Sequence, residues 1–207
     1  MSKRILVGAL GAACLITTPA VAQTTAEKCP AKVIATDAAG DSRLFNQAPV
    51  GPANADIVEG AIRHADRRVT AIMKIPGLDK TVPAYSTGVS WYFEYTFNGQ
   101  ALFVSAQLTP DGQVRFTQGT DGQSYSETGT TTGRFNAGSP GTIELDLPGL
   151  TSATRNYELT ANRFVSYAAI GAATPAGTFA LLPGADEARG DDHTTTPCST
   201  ATTPPAG

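Results

Sequence analysis

Hydrophobic and polar residues alternate along much of the chain, and this period of two predicts β-strands. The clearest case is the segment VSWYFEYTF at 89–97, whose odd positions are all apolar or aromatic and whose even positions are Ser, Tyr, Glu and Thr. Asn98-Gly99 follows, a dipeptide that is typical of the type I′ turn in β-hairpins. Because residues 100–108 alternate in the same way, the sequence predicts a hairpin of 89–97 and 100–108, with Trp91 and its apolar neighbours in the core.

The same pattern predicts strands on both sides of this hairpin. The remaining segments are 32–36, 56–64, 68–75, 114–118, a Ser/Thr-rich segment ending near residue 135, 143–147, 157–161 and 164–170. Short strands that follow one another at this spacing, joined by turns such as Asp111-Gly112 and Asp121-Gly122, are typical of antiparallel sandwiches. We therefore predict an all-β, antiparallel two-sheet sandwich of about nine strands.

The first 22 residues have the features of a cleaved signal peptide. Lys3-Arg4 precede an apolar run at 5–16, and Ala20-Val21-Ala22 provides the small residues that a signal peptidase recognises. The run is too short to cross a bilayer, and no later stretch is apolar enough, so we expect no transmembrane segment after cleavage. Cys14 as a lipidated residue is the alternative, but the preceding residues lack the usual large aliphatic side chain. The mature protein is expected to be periplasmic or extracellular.

The mature chain divides into a sandwich domain at 23–170 and a flexible tail at 171–207 that is rich in Ala, Gly, Thr and Pro. Two cysteines remain after cleavage, Cys29 and Cys198. In an oxidising compartment they would most simply form a disulfide that holds part of the tail to the domain, and two free or intermolecular thiols are the alternative.

Charge and length limit the classes of partner. Cleavage removes Lys3 and Arg4 and lowers the formal charge from −3 to −5. An acidic chain without a basic cluster is not expected to bind nucleic acid. Roughly 185 residues suffice for one domain, which we expect to be a monomer.

Three aspartates form the best polar constellation: Asp37 and Asp41, on either side of Gly40, and Asp56. Calcium prefers several carboxylate and carbonyl oxygens, so these residues are a candidate Ca²⁺ site. The alternative is an ordinary turn, in which Asp and Gly serve the backbone geometry.

Aromatic residues could bind a sugar ring, and the tyrosines that we expect to be exposed are Tyr85, in a loop, and Tyr92, on the even face of 89–97. They are the candidate ligand contacts. Trp91 and Tyr95, on the odd face, are expected to be core residues.

Other chemistry has weaker support. His193 could bind a metal with Asp191 and Asp192, but a mobile tail gives no preorganised geometry for such a site. Neither the nucleophile motif G-x-S-x-G nor the zinc-protease motif H-E-x-x-H occurs. The two carboxylates of a glycan hydrolase can come from distant strands, and Glu94 with Asp146 or Glu144 is the pair to examine, although an ordinary solvated sheet face explains these acids better. We expect no enzymatic activity.

The order of short motifs resembles a known group. D-A-A-G-D at 37–41, a Pro-rich loop, Asp56-Ile57, a hairpin at 59–75 and the aromatic strand W-Y-F-E-Y-T-F-N-G at 91–99 look like the DOMON-like β-sandwiches, which include the family-9 carbohydrate-binding modules. The likeness covers residues 33 to about 147, with a looser echo in Gly184-Ala-Asp186. It implies a secreted, non-catalytic binding or accessory module that is sometimes stabilised by calcium, with a glycan or a cell-envelope component as partner. Some DOMON-like domains bind haem through a Met and a His, so the resemblance also makes His64 and Met73 candidate haem ligands, with a surface turn and core packing as the better explanations of these two residues. A small glycan hydrolase and a purely structural interaction protein are the alternatives.

Overall fold

The computed structural model describes residues 30–42, 52–65, 68–82, 86–122, 124–150, 157–169 and 186–194. The predicted signal peptide, Cys29, Cys198 and Tyr85 lie outside the described residues. The expectations of cleavage and of a disulfide therefore stay predictions.

The described residues form twelve β-strands and one short 3-10 turn at Ala53–Ala55. The strands are β1 (Lys32–Thr36), β2 (Glu59–Ala65), β3 (Arg68–Ile75), β4 (Gly88–Phe97), β5 (Gln100–Leu108), β6 (Val114–Asp121), β7 (Tyr125–Thr130), β8 (Gly133–Asn136), β9 (Gly141–Asp146), β10 (Glu158–Ala169), β11 (Asp186–Arg189) and β12 (His193–Thr194).

The strands form two antiparallel sheets. One sheet has five strands in the order β1-β2-β3-β9-β8. The other has seven strands, with β11-β10-β4-β5-β6-β7 in one row and β12 beside β10. The predicted all-β, two-sheet antiparallel architecture is therefore confirmed.

The predicted central hairpin is also confirmed. Phe97 pairs with Gln100 and Trp91 pairs with Ala106. Asn98 and Gly99, which join the strands, have φ angles of 51° and 75°. Two successive positive φ values are what a type I′ turn requires, and they match the turn to the twist of the two strands.

The Ser/Thr-rich segment, which was predicted as a single strand, forms two strands in different sheets. β7 pairs with β6 in the seven-stranded sheet, and β8 pairs with β9 in the five-stranded sheet. The chain changes sheets at two threonines: the N–H of Thr131 donates to the carbonyl of Phe116, and the carbonyl of Thr132 accepts from the N–H of Asp146. Exposed threonines give no hydrophobic signal for this crossing.

The segments 157–161 and 164–170, which were predicted as two strands, belong to one long strand. β10 is interrupted by a bulge between Thr160 and Arg163, where Ala161 has a φ of 52°. The side chain of Asn162, which is buried in the bulge, donates to the carbonyls of Leu159 and Asp191. The bulge therefore also holds the segment after β11.

β11 and β12 lie within the segment that the sequence analysis assigned to a flexible tail. β11 pairs with the second half of β10, and β12 pairs with its beginning. The N–H of Asp191 also donates to the carbonyl of Ile34 in β1. Residues 186–194 therefore belong to the sandwich and link its two sheets at one edge.

The core lies between the sheets and is centred on the aromatic residues of β4. Trp91 and Phe93 are fully buried, as predicted. The indole N–H of Trp91 donates to the carbonyl of Asn54 at 2.8 Å. Gly60 in β2 faces Phe164 in β10 so closely that a Cβ atom at residue 60 would lie 2.2 Å from the Phe164 ring. The two sheets therefore approach each other through a glycine.

Candidate functional site

Four aspartates from three separate segments meet at one edge of the sandwich, and we call them the acidic cluster: Asp37, Asp41, Asp56 and Asp186. Asp37 and Asp41 lie in the loop after β1, Asp56 precedes β2, and Asp186 is the first residue of β11. Asp37, Asp41 and Asp186 each offer a carboxylate oxygen, and these three oxygens lie within 4.8 Å of one another. Asp56 adjoins them through the loop backbone.

Backbone hydrogen bonds hold the cluster in place. The N–H of Gly40 donates to Oδ2 of Asp56 at 2.8 Å, and the N–H of Ile57 donates to Oδ2 of Asp186 at 2.5 Å. Gly40 has a φ of 83°, a conformation that a residue with a Cβ rarely adopts. The loop can therefore turn back and place its two aspartates beside Asp56.

Two carboxylate oxygens of the cluster are buried without a hydrogen-bond partner. These are Oδ1 of Asp41 and Oδ1 of Asp56. Asp56 as a whole is only 4% exposed. Buried polar atoms in proteins normally have a partner, so these two oxygens are available as ligands of a cation.

The electrostatics of the cluster favour a cation. Burial, with smaller contributions from the charges of Asp37, Asp41 and Asp56, raises the pKa of Asp186 to about 7, although the hydrogen bond from Ile57 lowers it in part. Burial also raises the pKa of Asp37, with Asp41 and Asp56 contributing. Carboxylates that repel one another in a partly desolvated place are stabilised in their charged form by a bound cation.

The structure brings the three predicted metal residues together, since Asp37 and Asp41 share the cluster and Asp56 contacts Gly40 between them. The sequence analysis did not assign Asp186 to the site, because the surrounding composition predicted a flexible tail. The short motif Gly184-Ala-Asp186 was the one signal that could have identified it.

The prediction that Tyr92 is an exposed ligand contact is wrong. Tyr92 is only 3% exposed. Its ring stacks on Tyr125 of β7 at a centroid distance of 4.6 Å, and the rings of Phe103 and Tyr167 meet it edge-on. β4 is covered on both faces. Its sequence nevertheless alternates like that of a strand with one exposed face, because its second face carries polar and aromatic residues.

Glu94 lies in the same outer layer and is also buried. It accepts a hydrogen bond from the hydroxyl of Tyr125, and Nη1 of Arg163 lies 3.2 Å from its Oε2 without the alignment of a hydrogen bond. Burial raises the pKa of Glu94, and the Tyr125 and Arg163 contacts lower it in part. Glu94 on β4 therefore contacts side chains of β7 and β10 and connects these strands on the outer face of the sheet.

Glu94 is not close to the acids with which it could form a hydrolytic pair. Glu144 and Asp146 lie on β9 in the other sheet, where Glu144 binds Arg63, and Asp146 binds Arg68, Thr70 and Thr132. Because the core separates the outer faces of the two sheets, these carboxylates cannot act on one glycosidic bond.

The histidines do not occupy the places considered from the sequence. Met73 is fully buried in the core. Nε2 of His193 lies 3.2 Å from Nε2 of His64, and the hydroxyl of Tyr157 lies 2.9 Å from the same atom of His64. Oδ1 of Asp192 accepts from the N–H of Ala161. His193 is therefore partnered by His64.

An open groove of about 450 Å³ lies where the chain crosses between the sheets. Its lining combines polar side chains with an apolar wall: Arg68, Gln118, Thr130, Thr131, Thr132, Asp146, Leu147, Pro148 and Leu150. Such a surface offers hydrogen bonds to a polar ligand.

No family model, no curated protein and no solved structure matches this chain. Among the described residues, no helix is long and apolar enough to cross a membrane. The resemblance to DOMON-like sandwiches stays a prediction.

Proposed function

We propose that the mature chain is a secreted, non-catalytic binding or accessory module of the bacterial envelope or exterior, and that one Ca²⁺ ion in the acidic cluster stabilises it. The observation that carries this proposal is the convergence of Asp37, Asp41 and Asp186 within 4.8 Å, next to the buried Asp56 with its unpartnered oxygen. The ion would join the loop after β1 to β11.

The donor set favours calcium over other metals. It consists of carboxylate oxygens, and backbone carbonyls of the loop could add to them. Ca²⁺ takes six to eight oxygen ligands in flexible geometry, whereas Zn²⁺ and Cu²⁺ prefer nitrogen or sulfur. Mg²⁺ requires a stricter octahedron and keeps several of its waters.

A structural role for the ion fits its surroundings. The described residues in contact with the acidic cluster supply backbone N–H groups and carboxylates. Among the described residues, the hydrogen bonds to these carboxylates come from the backbone N–H groups of Ala38, Gly40 and Ile57, and no side-chain nucleophile or base shares them. The separation of Glu94 from Glu144 and Asp146 likewise favours a non-catalytic module over a glycan hydrolase.

The ligand of the module is proposed to be a glycan or another polar envelope component. The aromatic residues in the described part of the chain are buried or half-buried, so that part offers no fully exposed aromatic platform. The groove beside Arg68, Gln118 and Asp146 is the better candidate surface, since amide, guanidinium, carboxylate and hydroxyl groups can bind sugar hydroxyls.

Isothermal titration of Ca²⁺ into tag-free protein that begins at Gln23 tests the metal part of this proposal. After treatment with a chelator, the wild type should bind one ion, and an Asp37→Ala, Asp41→Ala double variant should bind none. A wild type that binds no Ca²⁺ would overturn it. A glycan panel, screened separately with Gln118→Ala as the groove variant, tests the ligand part, and failure on every glycan and envelope polymer would overturn that part alone.

A further inference from the structure

Two histidines face each other at the seam between the sheets. They offer imidazole nitrogens, whereas the acidic cluster offers carboxylate oxygens. His64 lies on β2 of the five-stranded sheet, and His193 lies on β12 of the seven-stranded sheet. We propose that His64 and His193 form a binding site for a divalent transition-metal ion, Zn²⁺ or Cu²⁺, with the hydroxyl of Tyr157 beside it.

The distances fit a shared ion. The two Nε2 atoms are 3.2 Å apart, and the Tyr157 hydroxyl is 2.9 Å from Nε2 of His64. Two nitrogens that bind one tetrahedral Zn²⁺ at about 2.0–2.1 Å stand roughly 3.3–3.4 Å apart. The distance between the two Nε2 atoms therefore needs to change by only a few tenths of an ångström. Because the ring centroids are 5.5 Å apart, the rings point almost directly at each other, and each ring must also turn to aim its lone pair at a shared ion.

Hydrogen bonds leave one nitrogen of the pair without a partner. A ring nitrogen of histidine has either one proton or one lone pair, so Nε2 of His64 pairs with one of its two polar neighbours, and the Tyr157 hydroxyl, which lies 3.4 Å from Nδ1 of His64, can pair with that nitrogen while Nε2 pairs with His193. His193 is only 3% exposed, and its Nδ1 has no hydrogen-bond partner. Nε2, directed at His64, is thus the one nitrogen through which this buried ring makes a polar contact.

The protonation state suits a metal ligand. Burial lowers the pKa of His193 to about 4, with the charges of His64 and Lys32 adding to the effect. Burial also lowers the pKa of His64. Both rings are therefore neutral near pH 7, and neutral imidazole is the form that binds Zn²⁺ and Cu²⁺. His64 is partly exposed, so an ion and a completing water ligand can reach the site.

A competition titration with a chromophoric zinc chelator tests the proposal. Tag-free protein from Gln23 is used in excess Ca²⁺, so that the acidic cluster does not take up Zn²⁺. The wild type should bind one Zn²⁺. His64→Gln and His193→Gln should each weaken binding by at least about a hundredfold, because loss of a mere outer partner of a metal ligand already costs about 10–100-fold. Asp111→Asn, which changes an exposed acid in the turn between β5 and β6, should leave the affinity unchanged.

Electron paramagnetic resonance of the Cu²⁺-loaded wild type keeps the proposal testable even if the variants fold poorly. Two coordinated imidazole nitrogens should split the copper signal. A wild type that binds neither ion, a spectrum with oxygen ligands only, or an unchanged affinity in both folded histidine variants would overturn the site and leave a hydrogen-bonded histidine pair.

Discussion

The carboxylate of Asp186 accepts a 2.5 Å hydrogen bond from the N–H of Ile57, a residue 129 positions earlier in the chain. This bond joins the start of β11 to the segment that leads into β2. It also directs a buried carboxylate towards Asp37 and Asp41, from which charge repulsion would otherwise separate it. A bound cation would offset this repulsion and strengthen the connection between β11 and the segment that leads into β2.

The contact between Gly60 and Phe164 gives a first prediction. A Cβ at residue 60 would lie 2.2 Å from the Phe164 ring, so Gly60→Ala should destabilise the domain by about 1–3 kcal/mol through overpacking. Urea unfolding measures this. Gly129→Ala is the matched control, since its Cβ would meet Gln118 at an ordinary 3.6 Å, and it should change stability by less than about 0.5 kcal/mol. Equal effects of the two substitutions would contradict the close approach of the sheets.

The hairpin turn gives a second prediction. Gly99 has a φ of 75° and open space around its Cα, so Gly99→Val should cost about 1–2 kcal/mol from backbone strain alone. Gly99→Asn should cost less, because asparagine tolerates this conformation. Thermal melting of both variants is the measurement. If valine and asparagine have the same effect, the cost does not come from the positive φ.

Glu94 gives a prediction about pH. Its pKa is raised above the usual 4.5 in the folded protein, so the folded state favours the protonated form more than the unfolded chain does. Ionisation as the pH rises from about 4.5 through the folded-state pKa therefore removes stability. Glutamine cannot ionise, and Glu94→Gln should become more stable relative to the wild type between pH 4.5 and pH 7.5.

Urea unfolding at the two pH values measures this difference for Glu94→Gln, with the exposed Glu158→Gln as control. A difference between Glu94→Gln and wild type that stays constant, or that falls as the pH rises, would show that Arg163 and Tyr125 fully compensate for the burial of Glu94.

The two cysteines of the mature chain give a prediction from the sequence alone. Exported protein should have Cys29 and Cys198 joined in a disulfide, so alkylation without a reductant should modify neither sulfur. Peptide mapping after reduction should then find both. Labelling of both cysteines in the native, unreduced protein would exclude the disulfide.

The strands and the core could be predicted from the sequence because alternation is strong there. Trp91 and Phe93 lie in the core, and the Asn98-Gly99 turn closes the predicted hairpin. Tyr92 was mistaken for a surface residue, since the stacking ring of Tyr125 comes from a strand with no hydrophobic pattern of its own. β11 is held in the sandwich by its hydrogen bonds to β10 and by Asp186. Because these contacts need no run of hydrophobic residues, the composition of β11 resembles that of a flexible tail.

The candidate sites could be predicted only in part, for the same reason. Asp37, Asp41 and Asp56 are near one another in the chain, and a short motif suffices to suggest them. Asp186 and His193 reach their partners Ile57 and His64 only through tertiary structure, by way of the bulge at Asn162. No local pattern records such long-range contacts.

Thermal melting with Ca²⁺ and with chelator tests the acidic cluster most directly. Ca²⁺ at a hundredfold excess over Kd should stabilise the wild type by about 2.7 kcal/mol, or roughly 5–10 °C in Tm for a domain of this size. Asp186→Asn should lose most of this rise, whereas the exposed Asp111→Asn should keep it. A wild-type Tm that is the same in Ca²⁺ and in chelator would contradict the calcium site.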